Sequence, residues 1–99
     1  MAEISHQVVV PLRPRQLRIF LGHQLEAAAI TWKLTPRETL ILDRILCAYS
    51  DSTIARQLGL SPRTVHRHVR SLLFKSATAS RAELVSRALH LNGCHEQLY

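Results

Sequence analysis

Between Ser61 and Lys75 the chain places Arg63, His66, Arg67, Arg70 and Lys75, and no Asp or Glu. Guanidinium groups set this densely suit anions, because each planar fork can donate two parallel hydrogen bonds to a phosphate or to the O6/N7 edge of guanine. His66 adds a group that can donate or accept. No Ser/His/Asp or Cys/His set, no Gly-rich phosphate loop and no Glu-bearing His pair accompanies them. The pattern therefore points to binding rather than catalysis, and it calls for no cofactor.

These side chains need an element that presents them together. At about 100° per residue, a helix over 61–75 separates Val65, Val69, Leu72 and Leu73 from Arg63, His66, Arg67, Arg70 and Phe74, with His68 at the edge between the two faces. Ser61 is its cap and Pro62 its first residue. Upstream, Ser50 or Asp51 caps a short helix that runs to Leu58 and buries Ile54, Ala55 and Leu58. Gly59 supplies the turn, and Leu60 pins that turn to the core. A short helix, a tight turn and a basic second helix form a helix-turn-helix, which docks with the early part of its second helix nearest the base edges. The expected base contacts are His66, Arg67 and Arg70. Arg63, Thr64 and Lys75 are the expected phosphate contacts, aided by the free N–H groups of the helix start. A merely solvated basic face is the plain alternative, and the order of caps and turn is more specific than charge alone.

The rest of the chain reads as further helices. Thr35-Pro36-Arg37-Glu38 is a capping box opening a helix through Ile41, Leu42, Ile45 and Leu46, ending near Ala48-Tyr49. Another helix, from about Ser80 to Leu91, carries Leu84, Val85, Ala88 and Leu89 and stops at Asn92-Gly93. Over 14–32, Leu17, Phe20, Leu21, Leu25, Ala28, Ala29 and Trp32 recur at near-helical spacing behind Pro14, with Gly22 weakening the middle. Gln7-Val8-Val9-Val10-Pro11 is a β-prone run, a strand or an ordered arm. The expected architecture is all-α: an N-terminal arm and linker or dimerisation helix over 1–33, a four-helix DNA-binding domain over 34–92, and a tail over 93–99.

Ninety-nine residues allow one domain with one core. The formal charge of +6 favours a polyanionic partner, nucleic acid or an anionic membrane. Of the 13 cations only Lys33 and Lys75 are lysine, a bias toward the residue that grips phosphate and guanine. A basic membrane helix over 14–32 is the alternative use of that charge, but its Ala-rich end and single Trp32 suit a linker or dimer helix better. Two cysteines make no disulfide framework, and Cys47 is expected to be a small buried hydrophobe. His90, Cys94 and His95 are close in sequence, but Asn92-Gly93 breaks the helix between them. His66 and His68 point to different sides of their helix. No metal site is expected. No signal peptide is visible, and no apolar run approaches the ~20 residues that span a bilayer, so a reducing cytoplasm is the expected location.

These residues resemble the LuxR/GerE family of bacterial transcription regulators. Leu34-Thr35-Pro36-Arg37-Glu38 is similar to its opening motif. Ile54-Ala55, Leu58-Gly59-Leu60-Ser61, Thr64-Val65 and His68-Val69 are similar to its central signature, and Lys75 with Ser80-Arg81-Ala82-Glu83-Leu84-Val85 to its close. The likeness runs without gaps over roughly 34–91. It implies a four-helix domain whose third helix enters the major groove, dimerisation often through the fourth helix, and base-facing positions at His66, Arg67 and Arg70. A sigma-factor region 4 has a similar two-helix core, but the helix over Arg81–Val85 favours LuxR/GerE.

The chain departs from the family pattern in several places. His66 stands where the family usually has Lys, and Ala48 where it usually has Gly. Ser52-Thr53 replaces a common Lys-Glu pair, and Lys75-Ser76-Ala77-Thr78 replaces the usual Lys-Leu-Gly-Val. Ser76 should lose an apolar core contact, and Phe74 should pack on the N-terminal segment or on a partner.

The expected function is sequence-specific binding of double-stranded DNA by a dimeric transcription regulator. The competing class is a protein-interaction module that binds RNA polymerase or another regulator. The 33 residues before Leu34 are too few for a receiver or small-molecule domain, which suits either a stand-alone regulator or a fragment without its sensor.

Overall fold

A computed structural model describes residues 13–91 of the chain. Among these there are five helices and no strand: α1 (Pro14–Thr31), α2 (Pro36–Leu46), α3 (Asp51–Leu58), α4 (Pro62–Ser76) and α5 (Arg81–Leu89). The run Gln7–Pro11, the Asn92-Gly93 stop, Cys94, His95 and the tail lie outside the described residues.

Each helix start has a local cause. Thr35 Oγ1 accepts the Glu38 N–H (3.1 Å) while Glu38 Oε1 accepts the Thr35 N–H (2.9 Å), completing the capping box. Ser50, Ser61 and Ser80 each accept the N–H three residues on. Pro14, Pro36 and Pro62 occupy the first turns of their helices, where no donor is lost. Gly59 ends α3 at φ 68°, a left-handed conformation that glycine adopts without strain.

The core is one cluster. Ile41, Leu42 and Ile45 of α2, Ile54 and Ala55 of α3, Val65, Val69 and Leu72 of α4 and Leu84 of α5 meet there, together with Ala28 of α1. α4 lies at the centre, packed on α2, α3 and α5, while α1 packs on α2 and α5. Burying one face of α4 against three helices fixes which side chains its other face presents.

Several expectations need correction. Cys47 is exposed rather than buried. α2 stops at Leu46, its core stripe ends at Ile45, and Cys47 is the capping residue beyond it. That stop comes earlier than expected because Ala48 turns left-handed, at φ 67°. α5 also ends early, at Leu89, and a side chain from α1 meets the carbonyls around its end. Gln24 Nε2 donates to the carbonyls of Ala88 (3.1 Å), Leu89 (3.3 Å) and Leu91 (2.7 Å).

Ser76 keeps its place in the interior at 2% exposure, with Oγ 3.3 Å from the Leu73 carbonyl and 2.7 Å from Thr78 Oγ1. A hydroxyl thus sits in the core at little cost because it is hydrogen-bonded. In α1 only Ala27 and Ala28 are buried, while Leu17, Ile19, Phe20 and Ile30 are exposed. Of the seven apolar positions expected on that helix, Leu17 and Phe20 therefore do not mark core.

Candidate nucleic-acid interface

The turn between α3 and α4 is built from Gly59, Leu60 and Ser61. The Leu60 N–H donates to the Ala55 carbonyl at 2.8 Å, and Leu60 packs on the core. This fixes the direction in which α4 leaves the turn. Ser61 Oγ lies 3.0 Å from Thr64 Oγ1 and accepts the Thr64 N–H, so the start of α4 is held by hydroxyls.

With Val65, Val69, Leu72 and Ser76 buried, the opposite face of α4 is set. Arg63, His66, Arg67 and Arg70 are all exposed there, and Thr64 and His68 are half-buried at its margins. Five of the six expected contact residues are thus brought together at the start and along the outer face of one helix.

No acidic group neutralises that face among the described residues. Asp43 pairs with Arg44, Asp51 with Arg81, and Glu38 with Lys75. Glu83 accepts the Ala79 N–H at 2.8 Å. The arginines of α4 have no such partner, and their charges add rather than cancel.

Lys75 stands apart from the other expected contacts, because it is paired with a carboxylate. Its Nζ lies 2.7 Å from Glu38 Oε1 and 3.3 Å from the Lys33 carbonyl, while Ser71 Oγ donates to Glu38 Oε2 at 2.6 Å. Glu38 is 5% exposed. Burial alone would raise its pKa. The hydrogen bonds from Lys75, Ser71 and the Thr35 amide, with the charge of the ammonium, outweigh that burial and lower it from the usual 4.5 to about 2. Lys75 therefore locks the end of α4 onto the start of α2. Its charge is matched by a carboxylate, which tells against the expected phosphate contact.

Three pairings of this kind escape a reading of the sequence: Glu38 with Ser71 and Lys75, Gln24 with the end of α5, and Arg81 with Asp51 and the Tyr49 carbonyl. Each joins residues at least 30 positions apart, and no local spacing signals them. Arg56, exposed on α3, is a further cation without an ion-pair partner among the described residues. A lone cation on a short helix carries no pattern that would single it out.

Among the described residues no group of three His, Cys, Asp or Glu side chains is placed to hold a metal ion. Among them, too, no helix is long and apolar enough to cross a membrane.

The family model described as "Bacterial regulatory proteins, luxR family" matches residues 33–88. The monoamine regulon transcriptional regulator of Klebsiella aerogenes is 37% identical over 81 residues, 82% of this chain and 34% of that protein. The response regulator Rre1 of Synechocystis sp. is 44% identical over 68 residues, 69% of this chain and 29% of that protein. The probable transcriptional regulatory protein NarL of Mycobacterium tuberculosis is 38% identical over 63 residues, 64% of this chain and 29% of that protein. The chain thus spans about a third of the length of these relatives. These relatives bear the names of regulators. No solved structure matches the chain.

Proposed function

Because the chain belongs to the luxR family of bacterial regulatory proteins, we propose that it carries the DNA-reading part of a transcription regulator, with α4 lying in the major groove of duplex DNA. The observation that carries this reading is the outer face of α4, where Arg63, Arg67 and Arg70 are exposed with no acidic partner among the described residues. In a helix-turn-helix dock that face meets the base edges. Arg67 and Arg70 are the bidentate readers, suited to guanine, and His66 is the adaptable third contact. Arg63, Thr64 and the N–H groups at the start of α4 hold the phosphates. The regulator works in the cytoplasm as a dimer, each copy of α4 reading one half-site. The names of the relatives, two transcriptional regulators and a response regulator, support this reading.

Selection from a randomised duplex pool at near-physiological salt tests it. The expected product is a palindrome with half-sites about one helical turn apart, ~10 bp. Binding to that site should weaken with salt at a log–log slope near −0.9 per neutralised phosphate. An unenriched pool with only weak, salt-labile retention would remove the DNA reading. It would favour contact with RNA polymerase or another regulator, the reading for which the exposed Leu17, Ile19 and Phe20 of α1 speak.

A further inference from the structure

Phe74 is the most exposed large hydrophobic side chain among the described residues, at 86%. Its neighbours in sequence explain why the core does not claim it. Leu72 and Ser76 fill the buried positions on either side, and Phe74 faces the opposite way. It falls on the stripe of the arginines. It is four residues beyond Arg70 and seven beyond Arg67, spacings that return a helix to nearly the same face. At 1.5 Å per residue it lies about 6 Å further along the axis than Arg70 and about 10 Å further than Arg67.

A phenyl ring left in water among arginines needs a partner that offers both negative charge and an apolar feature. The major groove offers both. Phosphates flank it, and its one apolar group is the C5-methyl of thymine, which Phe can contact. Base pairs stack about 3.4 Å apart, so about 10 Å along the helix corresponds to about three base-pair steps. A protein surface covering the same stripe would have to bring carboxylates to Arg63, Arg67 and Arg70 and a hydrophobic pocket to Phe74 together.

We propose that Phe74 is a specificity-determining residue that packs on a thymine methyl in each half-site, about three base pairs from the one read by Arg67. This rests on the DNA reading above and adds a position to the operator. The contact sets a preference for T·A over other pairs there, with no hydrogen bond involved.

The test removes the methyl group alone. In the selected operator each thymine is replaced in turn by deoxyuridine, and binding is measured for the wild-type chain and for Phe74→Ala. The ring is solvent-exposed, so Phe74→Ala should fold as the wild type does. The wild type should lose about fourfold in affinity at one symmetry-related thymine, what burying one methyl-sized group is worth. Phe74→Ala, which loses the contact in both half-sites, should bind the unmodified operator about sixteenfold more weakly and be indifferent to deoxyuridine at that position. Selection with Phe74→Ala should lose the T·A preference there and keep the positions read by Arg67 and Arg70.

If Phe74→Ala keeps the wild-type deoxyuridine profile and affinity, the proposal is overturned while DNA reading stands. If that variant also loses a dimer seen by sedimentation of the free wild-type chain, Phe74 is a contact between copies instead. If the wild type enriches no sequence at all, the DNA reading falls and this proposal falls with it.

Discussion

Arg67 and Arg63 share a face of α4, yet losing them should have different consequences. Arg67 sits one turn further along the helix, where base edges are nearest in a helix-turn-helix dock. Arg67→Ala should cost about 1–3 kcal/mol on the selected operator and relax preference at one base pair. Arg63→Ala should weaken binding about equally on all sequences and reduce the salt slope by about one. Competition titrations against operators altered one base pair at a time separate the two outcomes. Uniform weakening by Arg67→Ala would make it a phosphate contact. Lys75 belongs to a different class, because its ammonium is matched to Glu38 at 2.7 Å. Lys75→Met should destabilise the fold by about 1.5–3 kcal/mol, the usual worth of a hydrogen bond to a charged group, and leave the salt slope of DNA binding unchanged. The same pair makes stability depend on pH. The pKa of Glu38 is lowered on folding, from 4.5 to about 2. Its contribution is therefore complete above about pH 4.5 and is lost as the pH falls toward 2. Denaturant unfolding followed from pH 6 downward should show this loss, and Glu38→Gln should flatten the curve over that interval.

At the level of the helices, what was local in origin was legible in the sequence. Thr35, Ser50, Ser61 and Ser80 cap their helices as their types and positions suggest, and Gly59 makes the turn between α3 and α4. The two faces of α4 follow from spacing alone, so most of the candidate site could be read as well. Helix ends were harder. Two of them depend on alanine in a left-handed conformation, Ala48 at φ 67° and Ala77 at φ 58°. Alanine is the best helix former, so nothing in its local preference announces a stop. The two positions showed only as departures from the family pattern, which usually has glycine at both. The side chain's Cβ makes this conformation cost about 1–2 kcal/mol. Glycine removes that strain but gives back part of the gain through its freer unfolded state. Ala77→Gly and Ala48→Gly should therefore each stabilise the chain by about 0.5–1 kcal/mol. The two positions lie in separate turns with no hydrogen bond between them, so the gains should add. Thermal unfolding should show a rise of several degrees for the double variant, about 4–8 °C per kcal/mol for a domain of this size. An unchanged or lower midpoint would mean that the turns hold the left-handed geometry without strain.

For the molecule as a whole, the question is how α1 is coupled to the helix-turn-helix. Its second half is built into the core through Ala28, which is fully buried, while its first half exposes Leu17, Ile19 and Phe20. Between the two, Gln24 donates to three carbonyls at the end of α5. One amide thus ties the first helix to the last across 64–67 residues. No periodicity could have shown this, because Gln24 lies beside an apolar stripe and reads as a surface residue. Gln24→Ala should cost about 1 kcal/mol, the net worth of a hydrogen bond whose abandoned carbonyls can still reach water. The location of the loss matters more than its size. Hydrogen exchange should accelerate in the last turn of α5 and along α1, where the tie acts, and stay unchanged in α3 and α4, which are held by the core and by Glu38 with Lys75. DNA affinity of the variant should match that of the wild type, because the reading face does not rest on α1. Acceleration spread evenly over all five helices would instead show that α1 and the helix-turn-helix unfold as one unit, with Gln24 merely one of its many contacts.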